Sequence, residues 1–134
     1  MAKDVKGIAA SDGIGIAPAY LLVDPDLSYD KVKVDDTATE YARVEKAFQD
    51  SIEELTQIKE NAKDRLGEEE LGVFDAHIAI LSDPEMLGQI KDDIENNHTG
   101  AEEAVDKVTT AFADMLAAMT DNAYMQERAA DVKD

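Results

Sequence analysis

Two histidines, His77 and His98, and a crowd of carboxylates are the residues of this chain whose types and spacing invite chemistry. Glu95 and His98 stand in Glu-x-x-His order, the spacing of carboxylate-bridged metal sites in helical bundles. Such a site needs a second copy and two further glutamates facing one interior, so a single pair near a helix end reads as surface. His77 sits inside an apolar helical run, where a half-buried imidazole satisfied by a neighbour outweighs catalysis or ligation. Asp24, Asp26, Ser28 and Asp30 alternate like calcium ligands, yet Tyr29 stands where the turn glycine belongs and Asp35 replaces the bidentate glutamate, which leaves a solvated loop. The stretch Gly13 to Pro18, GIGIAP, departs from a dinucleotide fingerprint because Pro18 takes the place of the third glycine and no helix follows. No serine nucleophile, phosphate loop or paired-carboxylate constellation stands out.

Composition narrows the partners further. The chain has 134 residues, enough for one domain with a real core. Its 31 Asp and Glu against 13 Lys and Arg give a formal net charge of -18, a field that repels nucleic acid and anionic membranes and draws basic partners inward. There is no cysteine, which excludes disulfides, thiolate metal sites and thiol nucleophiles. No apolar run is long enough to span a bilayer and MAKDVKG lacks a signal-peptide core, so a soluble cytoplasmic protein is expected.

The elements that must position these groups change period near residue 35. Glycines and short apolar runs before it predict two strands, roughly 6–10 and 14–23, which are too few for a stable sheet. Every apolar pattern after it is helical. Thr37 with Glu40 makes a capping box opening a helix whose stripe runs Tyr41, Val44, Phe48, Ile52, Leu55, Ile58, Ala62 and Leu66, closed by Gly67. A second helix begins with Glu68, Glu69 and Glu70 and carries a core stripe of Leu71, Phe74, Ile78 and Leu81. Val73, His77 and Ile80 form a second row on it, with a strip of small residues at Gly72, Ala76 and Ala79, so it is apolar nearly all round. Ser82-Asp83-Pro84 predicts a break. Its continuation uses Leu87, Ile90 and Ile94 and ends at Asn96 and Asn97. Thr99 with Glu102 predicts another capping box, before Val105, Val108, Phe112, Met115, Leu116 and Met119, and Asp121 or Asn122 caps a last helix through Tyr124, Met125, Ala129 and Val132. The expectation is a mainly α fold: residues 35–134 as two antiparallel helical hairpins with a kinked second helix, preceded by residues 1–34 as the strands and linker of an incomplete α/β subdomain. An unfinished sheet and a last helix with no stop signal point to a piece of a longer protein.

GIAASDGIGIAPAY, GEEELGVFDAHIAILSDPEM and AYMQERAADVKD resemble, in order and spacing, the N-terminal part of enzyme I of the bacterial phosphoenolpyruvate:sugar phosphotransferase system. The similarity covers essentially the whole chain. It implies a phosphoryl-transferring parent enzyme whose N-terminal half joins an α/β subdomain, bearing the phosphorylated histidine, to an inserted helical one that docks the phosphocarrier HPr. The phosphorylated histidine of that family lies in a Thr-Ser-His context, whereas His77 follows Ala76 and His98 follows Asn97, so the resemblance implies that neither is phosphorylated. It also implies that the magnesium-phosphoenolpyruvate site and a dimerising C-terminal domain lie beyond this chain, leaving it with no cofactor and no catalysis of its own. Carried over residue by residue, the partner-binding surface falls on Glu68, Glu69, Ala76, His77, Ala79, Ile80, Asp83, Glu85, Met86, Leu116 and Arg128. A generic acidic helical adaptor and, further off, a helical-bundle metalloprotein are the competing readings.

Overall fold

Asp36 opens the first helix by accepting the backbone N–H of Thr39 at 3.0 Å and its hydroxyl at 2.7 Å. The cap therefore falls one residue before the expected Thr37. In the computed structural model, which describes residues 4–8 and 12–133, five helices follow: α1 Thr37–Ala62, α2 Glu68–Leu81, α3 Pro84–Asn97, α4 Ala101–Ala117 and α5 Ala123–Lys133. A turn over residues 63–66 separates α1 from α2, and Gly67 serves as the N-cap of α2 rather than closing α1. The helix is interrupted at the expected break: Asp83 accepts from the N–H groups of Glu85 at 2.8 Å and Met86 at 3.0 Å, and Pro84, which has no N–H to satisfy, takes the first helical position of α3. Asn122 opens α5 through the N–H of Met125.

The core sits where α3 enters between α1 and α4. Met86, Ile90 and Ile94 are fully buried there against Val44, Ala101, Ala104 and Val108. Alanines let the helices approach closely: Ala104 and Ala113 of α4 and Ala129 of α5 are buried, while Met115 and Met119, expected inside, are 50% and 41% exposed. α2 packs across α1 and more thinly across α5. Its stripe of Leu71, Phe74, Ile78 and Leu81 is only half-buried, and no residue of α2 is fully enclosed.

Two expectations need correction. Residues 14–23 form no strand: Ile14 and Ile16 are 98% and 99% exposed and Tyr20 to Val23 stand in solvent. Residues 6–8 likewise carry no strand, and residues 9 and 10 of the expected 6–10 strand lie outside the described residues. A strand needs a neighbouring edge for its backbone groups, and the described residues offer none here. The pairing that exists is an antiparallel bridge between Lys33 and Thr99, in which the Val34 N–H donates to the His98 carbonyl at 3.0 Å and the Gly100 N–H to the Val32 carbonyl at 3.3 Å. A Cβ at Gly100 would stand 2.8 Å from Val32 Cγ2, so a larger residue at this clip makes the Val32 side chain shift.

Neither expected capping box forms. Glu40 instead reaches across to α4, where its Oε1 accepts the Ala101 N–H at 2.7 Å and supplies the cap that Gly100 cannot. Arg43 spans Glu40 and Glu102, meeting the latter with two bonds of 2.7 Å. Thr99 turns its hydroxyl to Asp93, whose carboxylate also takes Asn97 and Lys107. Burial pushes the Asp93 carboxyl up, and the hydrogen bonds from Lys107, Thr99 and Asn97 outweigh that and hold it below the usual carboxylate value.

Candidate functional site

Small side chains on an exposed helix leave room beside the backbone, and α2 supplies them one turn before its break. Ala76, Ala79 and Ile80 of α2, Asp83 at the corner and Arg128 of α5 line a notch of about 300 Å³. Five of the residues singled out by sequence thus converge on one surface feature. Its lining is apolar apart from Asp83 and Arg128, which carry opposite charges. Asp83 Oδ1 is engaged by the N-terminus of α3. Arg128 is oriented by Asp131 at 2.8 Å, a residue that the sequence reading passed over although its i, i+3 spacing on α5 was there to be read.

The other expected contacts spread around this notch. Glu68 and Glu69 are exposed in the first turn of α2 and Glu85 in the first turn of α3, so two helix N-termini carry the acidic rim. Lys59 of α1 meets Asp75 at 2.5 Å and fixes how α2 is turned. His77, half-buried, does not line the notch but a second cavity of about 390 Å³ to which all five helices contribute, and Ile80 lines both. Leu116 is half-buried on α4 and does not line the notch. Met86 is placed differently from the surface position expected of it: at 1% exposure it packs beneath the surface with Ile90 and Ile94, because the side chain three residues after the Asp83 cap points into the α1–α4 cleft.

The groups that might have held a metal are otherwise engaged. His98 ends α3 in the left-handed conformation (φ 54°) with Nδ1 donating to the Val34 carbonyl at 2.8 Å, and Glu95 faces Lys91. Among the described residues no group of three or more His, Asp or Glu is placed to hold an ion. Nor is any helix among them long and apolar enough to cross a membrane.

The PEP-utilising enzyme, N-terminal family matches residues 6–128. The chain is 54% identical over all 134 residues to a phosphoenolpyruvate-protein phosphotransferase of Enterococcus faecalis and 53% identical to one of Listeria monocytogenes. It spans 23% of the length of each. Among solved structures, an NMR structure of enzyme I (nEIt) superposes on 81% of this chain and 44% of its own with a TM-score of 0.74 at 29% identity. An N-terminal domain of a nitrogen enzyme I does so on 78% and 43% with a TM-score of 0.69 at 27% identity.

Proposed function

This chain belongs to the PEP-utilising enzyme, N-terminal family, and on that premise we propose that it is the helical module through which an enzyme I docks the phosphocarrier HPr. The observation that supports this reading is the notch lined by Ala76, Ala79, Ile80, Asp83 and Arg128, on a face whose helices α2 and α3 begin with the exposed Glu68, Glu69 and Glu85. Small residues admit a partner's backbone closely, and the apolar floor gains roughly 25 cal/mol for each Å² removed from water. The carboxylates steer a basic carrier and Arg128 sets its register. The module's part in phosphoryl transfer is then proximity: it presents the carrier's histidine to a phosphohistidine held elsewhere in the longer protein. The magnesium chemistry and dimerisation of such an enzyme belong to that remainder too.

A generic acidic adaptor would bind basic surfaces by charge alone. Titration of isotope-labelled chain with HPr, beside an unrelated basic protein of equal charge, separates the two. Docking gives saturable shifts at residues 68–86 and at Arg128 with HPr only. Shifts confined to α1 and the far end of α5 would refute the assignment, and equal response to both proteins would make the chain an adaptor.

A further inference from the structure

The apolar pattern of α2 does not choose which way the helix faces. Leu71, Phe74, Ile78 and Leu81 form one row along it and Val73, His77 and Ile80 another, about 110° round the axis, so a rotated helix would still offer α1 an apolar face. In the fold the first row turns inward to half burial, and Val73 of the second stands 51% exposed. No residue of α2 is fully enclosed, so close packing, which would single out one arrangement, does not fix its rotation either.

Charge separates the two arrangements. Lys59 of α1, whose side chain is 26% exposed, meets Asp75 of α2 at 2.5 Å. Asp75 lies between the inward row and the notch: Leu71 stands one turn before it and Ala79 one turn after, about 40° to either side on the wheel. With that edge pinned to α1, Ala76, Ala79 and Ile80 line the notch together with Arg128. The rotated helix would carry Asp75 to its far side and leave the Lys59 ammonium, partly withdrawn from water, without this carboxylate. We propose that Lys59 is a positioning residue for the docking face: through Asp75 it selects the register in which α2 presents the notch. An ion pair as open as this one adds little to stability, and setting register is the use for which partly buried charges are best attested. The part of Lys59 in docking rests on the function proposed above; the register it sets does not.

Methyl-labelled chain in the presence of a soluble paramagnetic agent reads the register without any partner. In the parent the Val73 methyls relax several-fold faster than those of Ile78. Lys59→Met, which keeps the apolar stem, reduces that contrast by at least half, and Asp75→Asn, at a side chain 61% exposed, does the same. Exchanging the charges, Lys59→Glu with Asp75→Lys, restores it. HPr affinity follows: it falls about fivefold in the single variants, the loss when one chain in five keeps the parent register, and returns in the exchanged pair. Single variants that melt earlier yet keep the full contrast overturn the proposal, as does a parent without the contrast. If the contrast responds as expected while HPr binds neither the parent nor any variant, the docking role falls and Lys59 sets the register of α2 alone.

Discussion

Replacing Glu40 by alanine removes the single side chain that closes the N-terminus of α4. Its carboxylate is 15% exposed, and the Ala101 it serves is buried at 6%, so water replaces the lost acceptor poorly. A hydrogen bond to a charged group contributes roughly 1.5 to 3 kcal/mol, and a donor left unsatisfied in a buried position loses a similar amount. Part is recovered because Arg43 keeps its two bonds to Glu102. The expected destabilisation is therefore about 2 kcal/mol. With a urea slope of roughly 2 kcal/mol per molar for a chain of this size, the unfolding midpoint falls by on the order of 1 M at unchanged slope. Glu40→Gln keeps an acceptor and shifts it by less than half as much. Acid supplies a second readout. The hydrogen bond from Arg43, then that from Ala101, holds the Glu40 carboxyl below its ordinary 4.5, and Arg43 does the same for Glu102. A carboxyl lowered in the folded state adds stability above its unfolded value and loses it as pH falls through the folded one. The parent should therefore weaken below about pH 4.5, and Glu40→Gln should show a shallower slope there. A midpoint change under a quarter of that expected for Glu40→Ala, with the acid slope intact, would refute the role assigned to this carboxylate.

Further expectations concern the docking face and the histidines. Reversing Glu68, Glu69 and Glu85 to lysine should slow HPr association and flatten its salt dependence in stopped-flow mixing, with little change in dissociation, since exposed rim charges act by steering. Ile80→Ala should weaken HPr binding by about 1 to 3 kcal/mol through faster dissociation, and should also lower the melting temperature modestly because Ile80 packs against the core cluster as well as lining the notch. Labelled phosphoenolpyruvate with magnesium should leave the chain unlabelled, and acid-labile label on His77 or His98 would contradict the docking-only role. His98→Val should destabilise by roughly 1 to 2 kcal/mol, because its left-handed backbone disfavours a β-branched side chain, whereas His98→Asn should melt close to the parent.

What sequence could tell was local. Pro84 after Asp83 encodes its own interruption, because the missing amide and the capping carboxylate act within one turn, and the break was legible for that reason. Glu40 was misread for the complementary one: three residues after Thr37 it fits a capping box, but a donor 61 positions away in sequence, the Ala101 N–H, had the stronger claim on it, and no local pattern announces that. Thr99 follows the same logic, turning inward to the buried Asp93 instead of capping α4. The docking residues came largely from family resemblance, and periodicity alone could not have placed Met86 beneath the surface, since its direction depends on how α3 enters the cleft. The strand at 14–23 failed because short apolar runs between glycines describe a segment, whereas a sheet requires a neighbour.

The half-buried condition of α2 bears on how partner choice can change over time. None of its side chains is enclosed, whereas Met86, Ile90, Asp93 and Ile94 lock the next helix into place. Substitutions in a packed interior disturb volume and strain, and those on an open surface usually stay within half a kcal/mol. The short corner at Asp83 and Pro84 thus divides the molecule into a part that drift can rewrite and a part that it cannot. On the proposed docking role, selection can remodel the exposed positions of α2 for an altered partner without disturbing the packed interior on the far side of that corner.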